Sequence, residues 1–180
     1  MIEWTYWRQE LRAELAWLKK RRTYRRWSEK QLVLYERRLM LVAFQVRSLL
    51  ERPKVNDQAR NVRIPVLRYK KIGNRPFTFV GAGFPEERFD MSNPEPSDLG
   101  VLDVCNQLIH CYWMQTWSEG AKFTGMLVFS DFMRHKWAYE FAIQDLIALF
   151  SVFADDSSAA GKLSFHWNEK KQDYVASYAL

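Results

Sequence analysis

The stretch from Ser28 to Pro53, SEKQLVLYERRLMLVAFQVRSLLERP, constrains the chain more than any other. Its residues Leu32, Tyr35, Leu39, Val42, Val46 and Leu49 are spaced by three and four, which predicts one continuous apolar face on a long α-helix. Ser28 stands where an N-cap belongs, Gln31 completes a capping box, and Trp27 is placed to staple onto Leu32. Pro53 ends the pattern, because its ring cannot continue a helix. A helix with so clear a face needs something to pack against.

The sequence offers a partner immediately upstream. If Trp4 to Trp27 is helical, Trp4, Trp7, Leu11, Leu15 and Leu18 form one apolar stripe, and Tyr6, Ala13, Trp17 and Tyr24 form a second, more aromatic one nearly opposite. Arg8, Arg12, Lys19 and Arg26 fall between the two. Residues 1–53 therefore predict a helical hairpin whose first helix has two apolar neighbours.

Beyond residue 61 the texture changes. VRIPVLRYKK and RPFTFVGAG, separated by Ile72-Gly73-Asn74, predict a β-hairpin with Pro65 on an edge, and the proline- and acid-rich residues 84–98 read as a loop. Leu99 to Ser118 has a helical pattern, FTGMLVFSD and WAYEFAI read as strands, and Asp145 to Ala154 as a short apolar helix. KLSFHWNEKKQDYVASYA alternates on both sides of a polar turn, Asn168 to Lys171, and closes the chain as a hairpin. The expected fold class is α+β: an N-terminal two-helix hairpin, then a mostly antiparallel sheet of about six strands in three pairs, with two further helices packed on it. The expectation is one domain over 1–180, with 61–180 as its α+β core.

Charge is divided unevenly along this plan. Residues 1–38 hold eleven Lys/Arg and five Asp/Glu, a net of +6, whereas residues 39–180 hold sixteen of each. The whole basic excess belongs to the N-terminal segment. The first residues carry charges every few positions and the longest apolar run, Leu39 to Phe44, is far too short to span a bilayer. A soluble cytoplasmic protein is expected, with no membrane partner. Cys105 and Cys111 fit reduced, buried thiols in that setting.

Phosphate-loop, dinucleotide, zinc-helix, paired-cysteine and nucleophile-elbow motifs are all absent from the sequence. No motif implies a cofactor or a metal. Two polar groups remain as weak catalytic candidates. In the helical pattern LGVLDVCNQLIHCYWMQTW, Asp103, Asn106, Gln107 and His110 make a narrow polar stripe, in which His110 could move a proton while Asn106 and Asp103 orient it. At the end of a predicted strand, Asp131 and His135 could form an acid–base pair or hold a divalent ion. Against these stand internal hydrogen bonding for the first group and ordinary turn polarity for the second.

The basic and aromatic N-terminal segment is the strongest feature. Tyr6, Arg8, Arg12, Trp17, Lys19, Arg22, Tyr24 and Arg26 are its candidate binding residues. The aromatic stripe fits burial against a second copy or another protein, with arginines at the rim. The same cations fit phosphates, with Tyr24 or Trp27 stacking on bases. The sequence therefore points first to a non-catalytic interaction or homo-oligomerising module. Its alternative is a small nucleic-acid-binding or nucleic-acid-processing enzyme with acid–base or metal chemistry at His110, Asp103 or Asp131.

Overall fold

The computed structural model describes residues 3–24, 26–51, 55, 57–80, 82–120, 122–155 and 162–179. Helix α1 spans Glu3–Arg21 and α2 spans Glu29–Glu51. The second starts as its sequence requires: the Ser28 amide donates to Gln31 Oε1 at 3.0 Å, and the Ser28 carbonyl accepts from the Gln31 and Leu32 amides. Tyr35, Leu39, Val42, Val46 and Leu49 are all buried, and Leu32 is half-buried. Pro53 lies outside the described residues. Trp27 packs on Tyr35 and Phe123, with ring centroids 5.4 and 5.3 Å away.

The first helix stops at Arg21, six residues short of the expected Trp27. Two bonds close its last turn: Thr23 Oγ1 donates to the Lys20 carbonyl at 2.8 Å, and the Tyr24 amide to the Arg21 carbonyl at 3.0 Å. Arg21 is buried, its guanidinium 4.2 Å from the Tyr24 ring centre and 4.9 Å from that of Trp27. The Trp27 indole N–H donates to the Tyr24 carbonyl at 2.9 Å. Part of the basic run is thus the hinge of the helical hairpin.

Helix α3 is a single turn, Asp57–Arg60. Five antiparallel strands follow: β1 Arg63–Lys70, β2 Glu95–Gly100, β3 Cys111–Glu119, β4 Lys122–Ser130 and β5 Trp137–Ala142, in the sheet order β2-β1-β5-β4-β3. Helix α4 spans Val101–Ile109 and α5 spans Ile143–Asp155. Strand β2 runs into α4, and β5 into α5, with no residue between. A separate hairpin, β6 Lys162–Asn168 and β7 Asp173–Ala179, pairs across Asn168 and Asp173.

The fold class is the expected one, but three assignments within it change. RPFTFVGAG is no strand among its described residues. The partners of β1 are β2, drawn from the predicted loop, and β5. An edge strand needs apolar residues on one face at most, so Glu95-Pro96-Ser97-Asp98 can serve there once β1 supplies the hydrogen-bonding partner. Secondly, the helix expected over Leu99 to Ser118 ends at Ile109, and Cys111–Glu119, rich in aromatic residues, is β3. Thirdly, Pro65 is not on an edge strand. It sits where β1 has β2 beside it and no pairing to β5, which begins at Leu67.

Alternation along the strands sends neighbouring residues to opposite faces. Ile64, Val66, Met126, Val128, Tyr139 and Phe141 face the core shared with α1, α2, α4 and α5. Leu67, Tyr69, Leu127, Phe129 and Ala138 face a second core closed by Phe77, Ala82 and Phe89. Phe77 stacks on Phe129 at 4.4 Å and meets Phe89 edge-on at 5.4 Å. On that face Gly125 lies under the Trp117 ring so closely that any Cβ there would collide with it. Cys105 and Cys111 are both free thiols, on α4 and β3 respectively. No helix among the described residues is long and apolar enough to cross a membrane.

Candidate functional site

Helix α4 ends one residue before β3, and this short connection places its polar stripe against other elements. Asp103 is exposed near Gly100 and Arg63. Asn106 Oδ1 accepts from Arg47 of α2 at 3.0 Å, and the same guanidinium reaches Glu51 at 2.8 Å. Gln107 is buried and accepts a 2.5 Å hydrogen bond from Ser130 Oγ. His110 caps the helix, its ring edge-on to Phe132 at 4.6 Å. The stripe is spent largely on tying α4 to α2 and to β4.

Asp131 meets His110 through the backbone, its amide donating to the His110 carbonyl at 2.9 Å. Its carboxylate lies 3.4 Å from Arg134, which also donates to the Phe77 carbonyl at 3.1 Å and covers the Tyr112 ring at 3.8 Å. His135 lies elsewhere, lining a cavity with Lys70, Lys71, Lys136 and Trp137. The two thiols are poor nucleophiles: burial pushes each up to about 12, and at Cys111 the nearby Glu36 carboxylate adds to it. Among the described residues no group of three or more His, Cys, Asp and Glu side chains could hold a metal ion.

The N-terminal binding candidates separate into two sets. Trp17 is half-buried in the α1–α2 seam, 6.1 Å from Tyr35, with Arg38 over its ring at 4.4 Å. Arg38 also reaches Glu14 at 2.8 Å. Arg8 and Arg22 are half-buried, and the Arg22 carbonyl accepts from the Phe123 amide at 2.9 Å. Tyr6, Lys19 and Arg26 are exposed, as is Arg12, which lies 3.4 Å from Asp155. Because α1 ends at Arg21, Tyr24 falls out of phase with Tyr6 and Trp17, and the three do not share an open face.

The chain matches no family model, no curated protein and no solved structure. A further surface lies outside the candidates that the sequence suggests. On the outer side of α2, Val33, Leu34, Leu41 and Phe44 are 57%, 37%, 44% and 53% exposed. At 100° per residue they lie together with Lys30, Arg37, Ser48 and Glu51, roughly opposite the buried face. The signal is nonetheless present in the residues: a second apolar stripe, of the kind found on α1, also runs along α2.

Proposed function

We propose that this protein is a non-catalytic interaction module whose N-terminal helical hairpin pairs with a second copy of itself through the outer face of α2. The exposed apolar stripe carries the reading, because residues of this kind at helical spacing mark a surface that gains by being covered. The choice of a second copy rests on self-complementarity. In an antiparallel pairing centred between residues 40 and 41, position n meets position 81 − n. That sets Lys30 beside the partner copy's residue 51, Arg37 beside 44, and residue 40 beside 41. Opposite charges then close both ends, and a guanidinium meets an aromatic ring on either side of the two-fold axis. A contact along a helix of roughly 35 Å is small for a stable interface, so the dimer is reversible and concentration-dependent.

Light-scattering mass over a range of protein concentrations tests this. The unaltered chain is expected to approach twice its monomer mass, and Leu41→Glu with Phe44→Glu to remain monomeric with unchanged circular dichroism. Lys30→Glu alone should weaken the dimer, and Lys30→Glu combined with Glu51→Lys should restore it. A monomer at every concentration would overturn the reading. A second reading, a nucleic-acid partner, draws on Lys19, Lys20 and Arg26, which are exposed around the α1–α2 turn. It predicts binding that weakens steeply with salt and ignores the α2 substitutions.

A further inference from the structure

At one end of the sheet, β1 leaves into the Gly73 turn just where β5 begins. Lys70 pairs in register with Trp137, and the Lys71 amide donates to the Lys136 carbonyl at 2.9 Å. These pairings gather Lys70, Lys71, His135 and Lys136 around a cavity of about 310 Å³ walled by Trp137 and Gly73. Lys70, His135 and Lys136 are exposed, and cations gathered at one place repel one another and favour a bound anion.

No ion pair offsets that repulsion among the described residues. No carboxylate lines the cavity, and among the described residues Lys70, His135 and Lys136 take part in no ion pair. Of the acids close by, Glu95 is paired with Arg68 at 2.8 Å, while Glu140 accepts from the Tyr69 hydroxyl and Asp90 from the Asn93 amide at 2.9 Å, both outside the cavity lining. Lys71 Nζ donates to the Gly73 carbonyl at 2.8 Å, which holds the turn and keeps its charge at the rim. Arg68 lies over the Trp137 ring at 4.1 Å, so that ring is a wall already covered by a cation rather than a platform for stacking a base. The volume is at the small end of ligand sites, enough for a compact head group.

We infer that this cavity binds a phosphate oxyanion, held by the ammonium groups of Lys70 and Lys136 with His135 as a further donor. Charge-assisted hydrogen bonds from lysine to phosphate are of the strong kind, and the anion's charge offsets the repulsion within the cluster. The oxyanion can belong to a small phosphorylated molecule or to one phosphate of a nucleic-acid backbone. The α2 pairing plays no part in this site.

Calorimetric titration of the full chain with pyrophosphate is the test, with sodium chloride at matched ionic strength as the control. Saturable one-site binding is expected, weakened about tenfold by Lys70→Gln and by Lys136→Gln separately, each variant keeping the parent circular dichroism. Titration with a short single-stranded oligonucleotide then separates the sources. Binding weakened by the same two substitutions and displaced by pyrophosphate assigns the backbone phosphate; no binding by the oligonucleotide assigns the small molecule. Either supports the site. Pyrophosphate heats equal to the chloride control, or affinities untouched by both substitutions, would overturn it.

Discussion

One face of the sheet is covered by α1, α2, α4 and α5, whose apolar residues return every three or four positions. The other is covered by the described residues of one segment, 71–80 and 82–94, fixed by Phe77, Ala82 and Phe89 and by backbone bonds such as Ile72 to Arg88 at 2.8 Å and Asp90 to Lys70 at 2.9 Å. On the helical face, burial is spread over many side chains, so no one of them decides whether a helix stays docked. On the segment face, fewer apolar side chains, Phe77, Ala82 and Phe89 with Met91 beside them, are buried in the core. The difference leads to the expectation that local stability follows the number of buried anchors on each face.

Removing an anchor is the hardest blow to that comparison. Phe77→Ala should cost about 3–5 kcal/mol, and native-state hydrogen exchange should show the Ile72, Phe79 and Asp90 amides losing protection while those of α2 keep theirs. Leu39→Ala, in the helical core, should cost about 2–5 kcal/mol and lower protection on both faces together. Equal loss in α2 for both variants would show the faces to be one cooperative unit, and the comparison would fail.

Arg134 sharpens it at a smaller scale, since its guanidinium holds the Phe77 carbonyl at 3.1 Å and the Tyr112 ring at 3.8 Å. Arg134→Gln should lower stability by about 1.5–3 kcal/mol, read as a shift in the urea midpoint, with lost protection confined to the segment. The smallest effect belongs to the helical face. Burial raises the Glu36 carboxyl above the usual glutamate value. With the folded-state value above the unfolded one, Glu36 favours folding at low pH, and that contribution is lost as pH rises through the folded-state value. Glu36→Gln should therefore raise the melting temperature at neutral pH and bring no gain near pH 3, checked by thermal melts across that range.

The same contrast explains what can be read in the sequence. Periodicity and a capping box are local signals, so α2 from Ser28 onward and its buried residues are legible in the order of the amino acids. The partner of β1 is not, because Glu95–Gly100 has almost no strand propensity of its own and becomes a strand by pairing with residues 63–68. Phe77, Phe79 and Val80 suggest a strand by composition. Phe77 instead plugs the second core, while Phe79 and Val80 remain exposed. Within α4, spacing places Asn106 and Gln107 on one side correctly, but their partners Arg47 and Ser130 are distant in sequence. The cluster of Lys70, Lys71, His135 and Lys136 is hidden for the same reason, since strand register alone brings its two halves together.

The direct passage of β2 into α4 and of β5 into α5 gives the molecule a kinematic character. With Gly100 joined to Val101 and Ala142 to Ile143, each strand and its helix form one bent lever without slack. A shift of the β2 edge would turn α4 with it and, through Asn106, pull on Arg47 near the C-terminal end of α2. Load applied at the rim of the sheet therefore arrives at the back of α2 as displacement, instead of being absorbed by a loop on the way.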